Sequence, residues 1–196
     1  MWANPETVFR LILGLVFIGV ALIGLPRRLR ADRAGGRVSV RSDPQWFWIL
    51  MAILGPPTAL TCLGFIAQPH WVDFAQWELP ILVRWLGVPV ALAGLALFDW
   101  MFRHLGLNVT STSAPRRNAE LITTGPYRWI RHPMYTAVLL LVIAAALLTA
   151  NLIVAFGGAG MFALLAVRSR IEEERLLEKF GDAYRTYQQH TGRFFP

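Results

Sequence analysis

The chain has 196 residues, of which 55% are hydrophobic and 16% charged, with a mean hydropathy of +0.45. This composition is far more apolar than that of a water-soluble domain of similar size; it excludes an ordinary soluble fold and points to an all-α integral membrane protein. The formal net charge of +7 rests on arginine, with a single lysine, and the arginines fall in short stretches between apolar runs, which favours membrane orientation over nucleic-acid binding.

A helix needs about 20 residues to cross the hydrocarbon core. Residues 8–25 form the first candidate span; with no basic n-region or A-x-A site, this stretch reads as a retained span rather than a signal peptide. A basic loop follows, carrying Arg27, Arg28, Arg30, Arg33, Arg37 and Arg41, and serves as an orientation signal or as an amphipathic cover. Residues 46–67 form the second span, where Pro56 and Pro57 predict a kink because neither donates a backbone hydrogen bond. Cys62 lies within it, alone, so neither a disulfide nor a cysteine metal site is available.

The next loop, from Gln68 to Pro80, has no Arg or Lys and contains Asp73 and Glu78, so it belongs on the opposite side from the first. Residues 81–102 form the third span, with Arg84 expected to snorkel near its outer end and Asp99 and Arg103 spaced to pair at its inner end. Trp46, Trp48, Trp71, Trp77 and Trp85 sit near predicted span ends, where indole rings favour the headgroup level.

Residues 134–167 are long enough for two more short spans turning near Thr149-Ala150-Asn151, which gives about five transmembrane helices. The glycines at 157, 158 and 160 follow no strand and are read as close helix packing rather than a nucleotide loop. Ile171, Leu176, Leu177, Phe180, Tyr184 and Tyr187 then recur at helical spacing among charges, predicting a C-terminal amphipathic helix bent at Gly181. Arg103, Arg116, Arg117, Arg128 and Arg131 follow the third span, and Arg168, Arg170, Arg175, Lys179, Arg185 and Arg193 follow the fifth. The positive-inside rule then puts the N-terminus outside and the C-terminus in the cytoplasm.

Two segments flank the final hairpin. Before it, Gly125-Pro126 forces a turn, Arg131-His132 supplies hydrogen-bonding groups, and Pro133 can open a helix whose N-terminus favours an anionic group. After it, Arg168 and Glu172 are four apart and share a helix face, with Glu173 beside them. Taken singly, the first segment also reads as an interfacial loop gripping lipid phosphates and the second as an exposed ion pair worth little. Both must meet at one end of the hairpin, and polar groups there point to a site. No metal-ligand cluster, P-loop or H-E-x-x-H pattern is present.

The pattern running from Leu121 through Gly125-x-Tyr127 and Arg131-His132-Pro133-x-Tyr135, then Arg168-x-x-x-Glu172-Glu173-x-x-Leu176-x-x-x-Phe180-Gly181-x-x-Tyr184-x-x-Tyr187, resembles the isoprenylcysteine carboxyl methyltransferase family and its prokaryotic relatives, which are related to phospholipid N-methyltransferases. The resemblance covers about residues 105–196. It implies S-adenosylmethionine as cofactor, held by Glu120, Leu121, Ile122, Tyr127, His132, Pro133, Met134, Tyr135 and Glu172. It gives Arg168 the catalytic place beside the acceptor, with Arg168 and Glu173 as substrate-binding residues. Residues 1–103 would then form the acceptor side and residues 104–196 the cofactor-binding part. The implied acceptor is lipophilic, by resemblance the carboxylate of an isoprenylcysteine-like molecule, and the implied setting is a prokaryotic inner membrane. Glu120 departs from the polar neutral residue expected there, and residues 1–103 carry no family signature. A phospholipid or small-molecule N- or S-methyltransferase, an NADPH-dependent sterol-type reductase and a non-enzymatic lipid-binding scaffold are the alternatives.

Overall fold

The computed structural model describes residues 4–35, 43–67, 70–110, 112–116 and 118–196. Arg37, Arg41, Gln68 and Arg117 lie outside the described residues, as does the side chain of Trp71. The helices are α1 (Pro5–Gly35), α2 (Gln45–Ala67), α3 (Ile81–Trp85), α4 (Gly87–Leu105), α5 (Pro133–Thr149), α6 (Leu152–Phe180) and α7 (Asp182–His190). Short 3-10 turns cover His70–Ala75, Gly106–Asn108 and Gly125–Arg128.

Four helical stretches, Pro5–Ala34, Gln45–Ala67, Ile81–Asn108 and Leu152–Phe180, are long and apolar enough to cross a membrane, and α5 is a shorter apolar helix of 17 residues. Large apolar side chains point outward, among them Leu11, Leu15, Leu22, Ile49, Ile53 and Leu60. A soluble surface would not leave such a girdle bare, and lipid covers it without cost. The protein is an all-helical integral membrane protein.

Helix ends follow local chemistry. The Asn151 side chain caps α6 by accepting from the Ile153 amide at 2.9 Å, and Ala150 takes a left-handed φ of 46° to complete the turn between α5 and α6. Gly181, at φ 56°, ends α6 with its amide on the Leu177 carbonyl at 2.8 Å. A residue with a side chain would be strained there.

Two expectations change. The first helix does not end near residue 25 but continues through Pro26 to Gly35, so Arg27, Arg28, Arg30 and Arg33 ride on a helix rather than a loop. Its 31 residues span about 46 Å, well beyond a hydrocarbon core of about 30 Å, and its basic end projects past the bilayer. Arg84 does not snorkel freely: it pairs with Glu6 and donates to the Leu148 carbonyl at 2.8 Å, with its guanidinium 4.4 Å from the Phe9 ring. Asp99 does pair with Arg103 at 2.6 Å, and Arg27 joins from α1 at the same distance.

The core is built by close helix approach. A Cβ at Gly158 would run into Val142 of α5, and those at Gly157 and Gly160 would meet Thr58 and Leu54 of α2. The small-residue stretch therefore lets α6 lie against both neighbours. On the other side, Gly94 of α4 receives Leu140 and Leu141 of α5.

Candidate functional site

Where α5 begins, the chain is pinned from two sides. Gly125 adopts φ 61° directly against the His104 ring, leaving no room for a side chain, and the 3-10 turn it opens buries Pro126 and Tyr127. The C-terminal tail then folds back: the Arg131 and His132 amides donate to the Gly192 and Arg193 carbonyls at 2.9 and 3.0 Å, and the Gly192 amide returns to Trp129 at 3.0 Å. Thr136 donates its hydroxyl to the Phe194 carbonyl at 2.7 Å, and the Phe194 ring packs on His132 and Tyr135.

His132 is the residue before Pro133 at the α5 N-terminus, 5% exposed, with its ring stacked on Tyr135 at 5.3 Å. Pro133 has no amide proton, and the amides of Tyr135 and Thr136 return to the His132 carbonyl. Among the described residues the Met134 amide has no backbone partner outside the helix, which makes it the donor of this turn open to a ligand.

A charged network crosses from α5 to α6 and on to the start of α2. Arg168, 5% exposed, donates from Nε and Nη2 to the two carboxylate oxygens of Asp43, both at 3.2 Å, and from Nη1 to the Tyr135 hydroxyl at 2.9 Å. The Tyr135 hydroxyl in turn donates a hydrogen bond to Glu172 Oε2 at 2.7 Å. The Asp43 side chain is fully buried and accepts further from the Ser113 amide at 3.1 Å and from the Ser113 hydroxyl. Arg175 lies 4.0 Å from Asp43, and the Phe47 ring covers the Arg168 guanidinium at 5.1 Å. Burial works to raise the Asp43 carboxyl, but the hydrogen bonds from Ser113 and Arg168 outweigh it and hold it below the usual carboxylate range.

Glu173 belongs to a second cluster. Its carboxylate accepts from Arg131 Nε at 2.9 Å and Arg193 Nη2 at 2.6 Å, and lies 3.1 Å from His132 Nε2. Arg131 also donates to the Gln188 carbonyl at 3.2 Å and to that of Thr191. These contacts tie α6, the α5 entry and the tail together.

A cavity of about 440 Å³ opens beside the first network. Its lining includes Glu120, Leu121, Ile122, Tyr127, His132, Pro133, Met134, Tyr135, Arg168 and Glu172, while Glu173 is not among the lining residues. Sequence reasoning missed further lining residues: Arg28 from the extended α1, Phe47, Trp48 and Met51 from α2, and the Thr112–Pro115 stretch. Trp48 is thus a cavity residue rather than a belt residue, whereas Trp46, Trp77 and Trp85 are exposed. Asp43 also went unread, hidden in a stretch dominated by arginine. The only available signal was an acid directly before the proline that opens α2.

The volume falls within the roughly 300–1,000 Å³ of small-molecule sites, and the wall mixes aromatic surface with a few polar groups. Two lining residues, Thr112 and Tyr184, bury hydroxyls that have no hydrogen-bond partner among the described residues, a cost that a polar ligand can relieve. Burial pushes the Tyr127 hydroxyl up, with Glu172 and Tyr187 adding to the effect, and pushes Tyr187 up to about 12. Both therefore remain protonated donors at neutral pH; Tyr187 donates to the Tyr127 carbonyl at 2.6 Å. Carboxylates, an imidazole and protonated hydroxyls around an aromatic cavity fit the mixed polar and aromatic surface of S-adenosylmethionine.

Among the known proteins this chain is similar to are two named methyltransferases. It is 28% identical over 141 residues to a methanethiol S-methyltransferase of Pseudomonas sp., covering 67% of this chain and 51% of that protein. It is 26% identical over 216 residues to a protein-S-isoprenylcysteine O-methyltransferase of Tribolium castaneum, covering 97% of this chain and 77% of that protein. The chain spans about half the length of the first curated relatives it matches. The fold matches the structure of a eukaryotic intramembrane Ras methyltransferase with a TM-score of 0.56 at 22% identity, over 100% of this chain and 69% of that one. The family described as phospholipid methyltransferase matches residues 82–183, just over half of the chain, and the protein belongs to that family.

Proposed function

We propose that the protein is a membrane methyltransferase that uses S-adenosylmethionine and acts on a lipophilic acceptor. The observation that carries this reading is convergence. Ten residues from two blocks, separated in sequence by an apolar hairpin, line one cavity of cofactor size. When bound, S-adenosylmethionine supplies a methyl group already activated on a sulfonium, so the protein's task is alignment and exclusion of water.

Glu172 accepts hydrogen bonds from ribose hydroxyls or from the amino group, and Tyr135 fixes its carboxylate at 2.7 Å. His132 and the Met134 amide face the carboxylate end, at the positive end of α5. Glu120, Leu121, Ile122 and Tyr127 form the remaining cofactor wall, and Pro133 sets the direction of α5. Residues 104–196 thus supply the cofactor side, while Phe47, Trp48 and Met51 give the acceptor an apolar approach from residues 1–103. The arginines at the C-terminal ends of α1 and α6 support, by the positive-inside rule, a cytoplasmic site with the N-terminus outside, and the proposed setting is a prokaryotic inner membrane.

The relatives differ in acceptor: one is named for methanethiol and another for isoprenylcysteine. The test of the shared reading is binding of labelled S-adenosylmethionine to purified protein in nanodiscs. Saturable binding displaced by S-adenosylhomocysteine and untouched by NADPH is expected. Displacement by NADPH alone would support a reductase instead, and no binding to folded protein would end the methyltransferase reading.

A further inference from the structure

Arg168 is the most buried arginine on the cavity wall, and the resemblance assigns it to an acceptor carboxylate. Its geometry in this chain argues otherwise. All three guanidinium nitrogens already donate to protein oxygens: Nε and Nη2 to Asp43 at 3.2 Å each, and Nη1 to Tyr135 at 2.9 Å. The side-on edge, which would grip a carboxylate with two parallel bonds, is filled by a carboxylate belonging to the protein. Charge is accounted for as well: Asp43 compensates the Arg168 guanidinium while also lying 4.0 Å from Arg175, and Glu172 stands one hydroxyl further on, joined through Tyr135.

We propose that Asp43 sets the acceptor's charge. By holding Arg168 it closes the cavity to acceptors with a carboxylate at the reacting end, and admits those whose head group carries no negative charge. The proposal rests on the reading of this cavity as a methyl-transfer site and names its substrate class.

The other lining arginines do not restore an anion site. Arg131 is held by Glu173 at 2.9 Å and by the Gln188 and Thr191 carbonyls. Arg28 is exposed on α1, where its charge is screened by solvent. An anion entering beside Arg168 would have to displace Asp43, whose carboxylate has no exposed surface in which to be resolvated and keeps Ser113 as a partner. Asp43 is a positioning residue in this scheme: it acts through Arg168 and does not line the cavity itself.

The test compares binding of decanoate and of decanamide, its neutral counterpart, to protein in nanodiscs at neutral pH. Wild type is expected to show no preference for the carboxylate. Asp43→Asn keeps the shape but frees the guanidinium charge, and should shift the carboxylate-to-amide affinity ratio by about tenfold or more, the size of one charge-assisted hydrogen bond. Asp43→Glu should hold the ratio near wild type, and Asp43→Asn combined with Arg168→Gln should abolish the gain. A general loss of structure would weaken both ligands and leave their ratio unmoved. A wild type that prefers decanoate overturns the proposal whether or not the variants fold, as does an unchanged ratio in folded Asp43→Asn. S-adenosylhomocysteine affinity, measured on the same samples, separates this outcome from failure of the methyl-transfer reading: that reading fails if the cofactor product does not bind, whatever the ratio does.

Discussion

Glu172 and Glu173 are neighbours in sequence with separate tasks, because consecutive helical residues point about 100° apart. Glu172 accepts a hydrogen bond from the Tyr135 hydroxyl at the cavity wall, while Glu173 sits among Arg131, Arg193 and His132. Breaking a buried pair leaves its partners uncompensated, so Glu173→Gln should destabilise the protein by about 3–5 kcal/mol, read as a loss in denaturant midpoint, with cofactor affinity changed less than stability. Tyr135→Phe should do the reverse: it removes the hydroxyl that joins Arg168 to Glu172, and should weaken S-adenosylhomocysteine binding by about tenfold. The sequence could not separate the two glutamates. Glu172 lies about 40° from Arg168 in helical projection and Glu173 about 140°, but the partners that give Glu173 its task include a tail that returns from twenty residues away.

At the scale of elements, the hairpin was readable because apolar length and the Thr149-Ala150-Asn151 turn are local signals. The extent of α1 was not, since Pro26 and a run of arginines look like a helix stop. The helix continues because Asp99 holds Arg27 and Asp32 holds Arg116 at 2.7 Å, contacts made between distant parts of the chain. Likewise α6 is one helix through Phe180, so the charges that follow the span are carried rigidly on it. The glycines that let α6 approach its neighbours give a direct test. Gly158→Leu would drive a side chain into Val142, and should cost about 1–3 kcal/mol, seen as a lower melting temperature in detergent.

At the scale of the molecule, the site is assembled where α2, α5 and α6 meet, and Asp43 links the first of these to the other two. Its carboxyl is depressed in the folded state, so its contribution to stability is present above the unfolded value and is lost as pH falls through the folded one. The melting-temperature gap between wild type and Asp43→Asn should therefore be full at neutral pH and narrow once pH falls below about 4. A gap that stays constant into strong acid would show that Asp43 contributes by packing rather than by charge. Half of this site was legible: the His132 and Glu172 blocks have fixed spacing, and their residues gather on one wall. The contribution of α1 and α2 was not, because Phe47, Trp48 and Met51 look like any other membrane-facing residues until the helix is docked.

The most direct measurement is calorimetric titration of detergent-purified protein with S-adenosylhomocysteine, wild type beside Glu172→Gln. The account predicts a single site in wild type and a loss of about tenfold or more in Glu172→Gln with folding unchanged, since a charged acceptor at the cavity wall is replaced by a neutral one. Equal affinity in both proteins, or no binding to folded wild type, would contradict it.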